Sequence, residues 1–157
     1  MIRINDDCIN LIKSSEGLSL KAYHGKADRP EIDTIGYGTI KYPPTYRSGK
    51  MVKVGDPDIS EAQATEFLKY EVNKLIAGLD VLLRDDLTVN QFSALVSFAY
   101  NLGAGALKGS HLRAKVNTNP NDPAIRDEFL KWDMAAGVHV NGLHNRRVKE
   151  ADLYFKN

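Results

Sequence analysis

Apolar residues recur along most of the chain at spacings of three and four, the period of an amphipathic helix. Over residues 5–14, Cys8, Ile9 and Ile12 share one face, and the pattern stops at Ser14-Ser15-Glu16-Gly17. Gly17 is suited to end that helix, because glycine takes left-handed backbone angles without strain. From residue 18 to 54 the helical period is lost. Residues 34–40 and 50–54 read as strands, with Pro43-Pro44 and Ser48-Gly49 punctuating the loop between them. Gly55-Asp56-Pro57 then closes the β region.

Helical spacing returns with two capping boxes, in which a hydroxyl accepts from a helix amide and a glutamine side chain answers back. Ser60 with Gln63 opens a long helix carrying Phe67, Leu68, Val72, Leu75, Ile76 and Leu79. Thr88 with Gln91 opens a second, apolar on several sides (Phe92, Leu95, Val96, Phe98, Ala99, Leu102) and ended by Gly103, the pattern of a central buried helix. Shorter helices are expected over 110–117, 123–133 and 143–155, with Ala136-Gly137 as a separator. The predicted fold class is α+β. It has an N-terminal helix, a small β subdomain at about 18–56, and a mostly helical lobe at about 60–157 joined by helix 5–15. All of this fits one domain over 1–157, with the long helix linking the lobes.

Composition narrows the function classes. Hydrophobic residues make up 43% and charged residues 26%, which excludes an intrinsically disordered chain. No apolar run reaches the roughly 20 residues of a membrane-spanning helix. Lys and Arg (21) nearly balance Asp and Glu (20) for a formal net charge of +1, so neither nucleic acid nor a membrane is demanded as partner. The single cysteine, Cys8, cannot form an internal disulfide and reads as a small buried hydrophobe. His24, His111, His139 and His144 are dispersed and lack zinc-ligand spacing, so neither a metal nor another cofactor is expected. The N-terminus lacks the basic start and apolar stretch of a secretory signal, which predicts a protein that waits in a cytoplasm until it is released.

Candidate chemistry gathers around the β region. Glu16 stands where the first helix gives way to a flexible glycine, a junction at which a carboxylate can face a cleft and be partly desolvated. Asp28, Glu31, Asp33 and Thr34 place three carboxylates and a hydroxyl within seven residues. They lead into Gly36-Tyr37-Gly38, whose glycines weaken a strand unless something approaches its backbone closely. A sugar chain is one such visitor; a polar turn before a hairpin is the plain alternative.

The run Glu16-Gly17-Leu18-Ser19-Leu20-Lys21-Ala22-Tyr23, followed by Thr34-Ile35-Gly36-Tyr37-Gly38, resembles the signature of the phage-type lysozymes, glycoside hydrolase family 24. Residues 49–56 resemble that family's second strand and its exit, residues 87–98 with Asn101-Leu102-Gly103 its central helix, and Lys131-Trp132 with residues 142–147 the C-terminal segment of its endolysins. The resemblance implies a lysozyme-like fold and cleavage of the β-1,4 bond between N-acetylmuramic acid and N-acetylglucosamine in bacterial peptidoglycan, by a monomer without cofactor. It assigns Glu16 as the acid that protonates the glycosidic oxygen and Thr34 as the residue that places the attacking water.

The family's aspartate, the base, is harder to carry over, because this chain has extra residues between Tyr23 and Thr34. Counting back six positions from Thr34 selects Asp28, with Asp33 and Glu31 as substitutes; counting forward from Tyr23 meets His24 and Gly25, neither a carboxylate. Without a base, Glu16 alone would give a lytic transglycosylase, and with no activity at all the chain would be a wall-binding protein. The resemblance also matches Arg146 to an arginine that pairs with the catalytic glutamate. Gly36, Tyr37 and Gly38 are expected to line the substrate. Trp132 reads as core rather than a sugar platform. The aromatic, proline-stiffened loop Tyr42-Pro43-Pro44-Thr45-Tyr46 is longer than the family hairpin leads one to expect. Wall attraction would come from the cleft or from a local basic face such as Arg146-Arg147-Lys149, and the length leaves no room for a separate wall-binding module.

Overall fold

The computed structural model describes residues 4–25 and 31–157. In chain order its elements are α1 (Asp6–Glu16), β1 (Ser19–Tyr23), β2 (Thr34–Gly36), a single 3-10 turn at Arg47–Gly49, α2 (Glu61–Leu79), α3 (Val89–Leu102), α4 (Ala104–Lys108), α5 (His111–Thr118), α6 (Ile125–Leu130), β3 (Met134–Ala135), β4 (Val138–His139) and α7 (Asn141–Tyr154). The chain divides into two compact units. One comprises Met1–Ser15 with Leu75–Asn157, the other Glu16–Lys74.

The first unit is helical and is built around α3, whose residues from Gln91 to Ala99 are all buried. The all-round apolar pattern of that helix has its explanation here: α7 and α4 pack on it, and α6 packs on α7. Its start is fixed by the expected capping box, Thr88 Oγ1 accepting from Gln91 N at 3.1 Å and Gln91 Oε1 accepting from Thr88 N at 3.0 Å. Gln91 also donates through Nε2 to the Pro120 carbonyl, which ties the cap to the loop before α6. Asn5 binds Ser93 and Asn90 just ahead of α1, which buries Cys8, Ile9, Leu11 and Ile12. Cys8 is fully buried, and burial raises its thiol to about 12, so it stays neutral at any physiological pH. Trp132, expected in the core, is half-buried and packs edge-on against Phe98 at 5.5 Å between ring centres.

Two elements of this unit lie outside the helices expected from the sequence. α4 follows directly from Gly103, whose φ of 92° stops α3. Ala136-Gly137 is not a bare separator but the turn of the hairpin β3–β4, with both residues at positive φ (50° and 78°). The first residues of the predicted 143–155 helix are likewise preceded by two more, so α7 begins at Asn141.

The second unit pairs β1 with β2 and covers them with the residues that follow. Ile35, Tyr42, Val52, Ile59, Phe67, Leu68 and Val72 form its interior. The amide of Ile59 donates to Leu20, attaching the segment before α2 to β1. The Ser60–Gln63 capping box is present in both directions, at 3.1 and 2.9 Å. The strand expected over 34–40 is shorter than its pattern. After Gly36 the chain reverses, and Ile35 and Thr39 exchange two backbone hydrogen bonds of 2.9 Å across a turn whose glycines stand at φ 64° and 88°. The strand expected over 50–54 is reduced to one bridge, Lys41 with Met51.

Candidate active site

Glu16 is the last residue of α1. Gly17, at φ 73°, then takes the backbone into β1, a conformation a side-chain-bearing residue would adopt only with strain. This sequence of helix, glycine and strand leaves Glu16 half-buried instead of fully solvated. The hairpin register then sets Ser19 opposite Gly36 and Tyr23 opposite Thr34, with an irregularity in β1 between those pairs. Four steps on β1 match two on β2, so β1 carries the bulge.

Tyr23 links the two candidate reactive groups. Burial raises its phenol above the ordinary value, and the charge of Glu16 raises it further, which places the phenol within electrostatic reach of the carboxylate. Across the register from Tyr23, Thr34 is buried (9% exposed), and its hydroxyl donates to the Ile32 carbonyl at 3.4 Å, a long and weak bond. Tyr23 and Thr34 are thus set opposite each other by a hairpin whose first strand begins three residues after Glu16.

The substitutes for the base differ in what they are already doing. Asp33 accepts from the Val54 amide through one oxygen (2.9 Å) and meets His24 Nδ1 with the other (2.8 Å). The Val54 bond first, then the His24 bond, hold this carboxyl below its ordinary value, overcoming the opposing effect of burial. Asp33 therefore cross-links the loop before β2 to residue 54, which is what a structural carboxylate does. Glu31 is exposed at a turn. Asp28 lies outside the described residues.

The Gly36-Tyr37-Gly38 turn is crowded from behind. A Cβ added to Gly36 would stand 3.3 Å from the Ala64 Cβ and 3.5 Å from Ile59 Cδ1, so the close visitor to this backbone is α2. Tyr37 is 5% exposed, with its hydroxyl 3.5 Å from Glu61 Oε1, and only Gly38 of the three is partly open.

Comparison with known proteins fits this arrangement. The family described as Phage lysozyme matches residues 13–150, a span holding Glu16, the hairpin and all helices from α2 to α6. The chain belongs to the phage lysozyme family. It is 42% identical over 153 residues to the endolysin of Bacillus phage B103, covering 98% of this chain and 54% of that one. The chain therefore spans about half the length of the Bacillus phage relatives it matches. Among solved structures, the endolysin from Escherichia coli O157:H7 phage FAHEc1 aligns with a TM-score of 0.82 at 36% identity, over 97% of this chain and 92% of that one. The lysozyme of phage P22 gives 0.82 at 30% identity, over 99% and 100%. The α+β, lysozyme-like fold expected from the sequence is the fold found.

Arg146 occupies a setting that the charge run Arg146-Arg147-Val148-Lys149 concealed. The expected basic face is absent: Arg146 and Arg147 are 5% and 0% exposed, and of the three cations only Lys149 is exposed. Their position on α7, one turn before Glu150, turns both inward with it. Arg146 Nε lies 3.2 Å from Glu150 Oε1, and Arg147 Nε lies 2.9 Å from Oε2. Ser97 donates to Glu150 at 2.8 Å, Arg146 Nη2 donates to the Ser97 carbonyl at 3.1 Å, and Arg147 Nη2 to Asn101 at 2.6 Å. Burial pushes the Glu150 carboxyl up, against the pull of Arg147 and Arg146. The spacing of Glu150 from both arginines was the available signal, since residues three and four apart share a helix face.

Three of the four histidines, His24, His139 and His144, have described partners. His139 and His144 both direct Nδ1 at Asp133, at 2.8 and 3.2 Å, joining β4 and α7 to the end of α6. Burial would raise Asp133, but those two hydrogen bonds outweigh it and lower the carboxyl. Among the described residues no group of three or more His, Cys, Asp or Glu is arranged to hold a metal ion.

Proposed function

We propose that the chain is the catalytic part of an endolysin that hydrolyses the β-1,4 bond between N-acetylmuramic acid and N-acetylglucosamine in peptidoglycan. The observation that carries this reading is the half-buried Glu16 at the end of α1, just ahead of the hairpin that sets Tyr23 opposite Thr34, in a chain of the phage lysozyme family. Half-buried, Glu16 can contact a bound substrate and still be reached by solvent. In this reading Glu16 protonates the leaving oxygen, Asp28 takes a proton from water, and Thr34 holds that water. An inverting mechanism needs the two carboxyl groups about 6.5–9.5 Å apart, to admit the water between them. Gly38, partly open, lines the substrate with the backbone of Gly36 and Tyr37. Arg146 is kept in this reading only as the resemblance's pairing candidate for the acid, and Arg146→Lys, which keeps the charge, should retain more wall clearing than Arg146→Met. In this reading the enzyme acts on the wall after release from the host cytoplasm.

One observation favours a second reading. Asp33 is committed to Val54 and His24, so if neither Asp28 nor Glu31 is the base, Glu16 acts alone and the product is the anhydro sugar of a lytic transglycosylase. Asp28→Asn decides between the two. Hydrolysis predicts a fall in wall clearing of about 100-fold or more, with reducing ends as the wild-type product. Full activity with anhydromuramic ends identifies the transglycosylase. No clearing by the wild-type chain, with wall binding retained, would identify a binding protein.

A further inference from the structure

The aromatic loop at residues 42–46 is not used by the reaction assigned above, yet several side-chain contacts tie it down. Tyr42 donates to Asp56 Oδ2 at 3.0 Å, the Lys53 amide donates to the same oxygen at 2.9 Å, and Arg47 pairs with Asp56 Oδ1 at 2.7 Å. Arg47 and Ser48 both stand at positive φ, 48° and 53°, a strained arrangement for two consecutive residues with side chains. The Tyr46 ring is held against both Tyr42 and Phe67, each 5.1 Å away between ring centres.

Between this loop and α2 lies an open groove of about 610 Å³, inside the usual range of ligand sites (about 300–1,000 Å³). Its α2 wall carries Gln63, Glu66, Phe67, Tyr70 and Asn73, residues spaced three and four apart and so on one helix face. That face would be apolar throughout if it were only core. Instead Phe67 alone is buried, Gln63 and Tyr70 are half-buried, and Glu66 and Asn73 are exposed. Tyr46 faces them from the loop, half-buried. Fixed aromatic rings alternate with two side-chain amides and a carboxylate, and the acidic Glu66 is offset by Lys69.

We propose that this groove binds an N-acetylated amino-sugar oligosaccharide and retains the protein on glycan strands, through residues other than those assigned to bond cleavage. Such a ligand is uncharged, presents the C–H face of each ring to an aromatic side chain, and offers hydroxyls and acetamides to amide and carboxylate groups. The near-neutral lining matches it better than it matches an anionic polymer, for which the chain's net charge of +1 provides little attraction. The choice of glycan rests on the wall-degrading reading above.

The test is an amide chemical-shift titration of the full chain carrying Glu16→Gln, which prevents turnover, with chitotetraose as the probe. Shifts at residues 43–46 and 63–73 are expected. Asn73→Ala, an exposed position that leaves the fold intact, and Tyr70→Ala should each weaken that response, together by about tenfold or more in affinity, while Tyr70→Phe keeps it. In the active chain, Asn73→Ala with Tyr70→Ala should slow clearing of intact walls and leave turnover of short soluble wall glycans unchanged. No groove shifts at millimolar chitotetraose, shifts unaffected by these substitutions, or a groove that answers only to wall stem peptide would each overturn the proposal. If the groove binds chitotetraose but Glu16→Gln still clears walls, the assigned reaction fails and the binding site stands.

Discussion

In the helical unit, Glu150 is sealed from solvent and receives Arg146, Arg147 and the Ser97 hydroxyl. In the hairpin unit, Asp33 is held at the surface margin by one backbone amide and one exposed histidine, and Glu16 stands half-buried beside Tyr23. The physical costs differ accordingly. A carboxylate removed from water must have its charge answered at once, because the desolvation penalty in the interior is several kcal/mol per ion. A carboxylate at the margin keeps part of its hydration and can change protonation without unfolding its surroundings. Charge in the first setting serves architecture; in the second, Asp33 cross-links two loops and Glu16 is the group we propose for chemistry.

The strongest way to break this contrast is to remove the sealed carboxylate. Glu150→Ala leaves two buried guanidinium groups without their shared counter-charge, and a loss of about 3–5 kcal/mol is expected in denaturant unfolding. If stability falls by less than about 1 kcal/mol, water or another anion reaches the pair, and the region is not sealed. Glu16→Gln probes the other side: wall clearing should fall by about 100-fold or more while unfolding free energy moves by less than about 0.5 kcal/mol. A variant that loses stability as well as clearing would make Glu16 architectural, like Glu150.

A smaller effect separates packing from substrate approach in the hairpin. Gly36→Ala introduces a Cβ 3.3 Å from Ala64 at a φ of 64°, and should cost about 1–3 kcal/mol. Ala64→Gly on the same background removes the collision but not the backbone strain, so partial recovery of the melting temperature is expected. Complete recovery would show that crowding by α2 is the whole reason for the glycine.

The features that proved legible in the sequence are local ones. The Thr88–Gln91 and Ser60–Gln63 boxes, and the glycine stop after Glu16, need only neighbours within a turn of the backbone. The positions of Glu16 at a helix end and Thr34 at a strand start follow from equally short motifs. Gly36-Tyr37-Gly38 misled because alternation with an aromatic looks like a strand, whereas two positive-φ glycines make a turn. The hairpin Met134–Ala135 with Val138–His139 escaped because strands of two exposed residues have no periodicity to detect. Burial of Arg146 and Arg147 escaped because basic runs normally lie on solvated faces, and nothing local announces Ser97 and Asn101 as partners 49 and 46 residues away.

The smallest effect expected here concerns Asp33, and it comes with a definite pH signature. Its carboxyl is held below the ordinary value of about 4 by the Val54 amide and by His24, so the folded state favours the ionised form more than the unfolded chain does. A carboxyl lowered in this way contributes stability that is present above the unfolded value and is lost as pH falls through the folded one. Asp33→Asn keeps an acceptor for the Val54 amide and removes the charge, so the two chains should differ most in melting temperature at neutral pH. Between pH 4 and the lowered value of the carboxyl, the wild-type curve should descend toward that of the variant. Curves that stay parallel down to pH 2 would mean that Asp33 titrates alike in both states, and that its bonds to Val54 and His24 do not act as the clasp they form. Convergence would leave Asp33 on the architectural side of the comparison despite its place among the candidate bases, and would put the weight of water activation on Asp28.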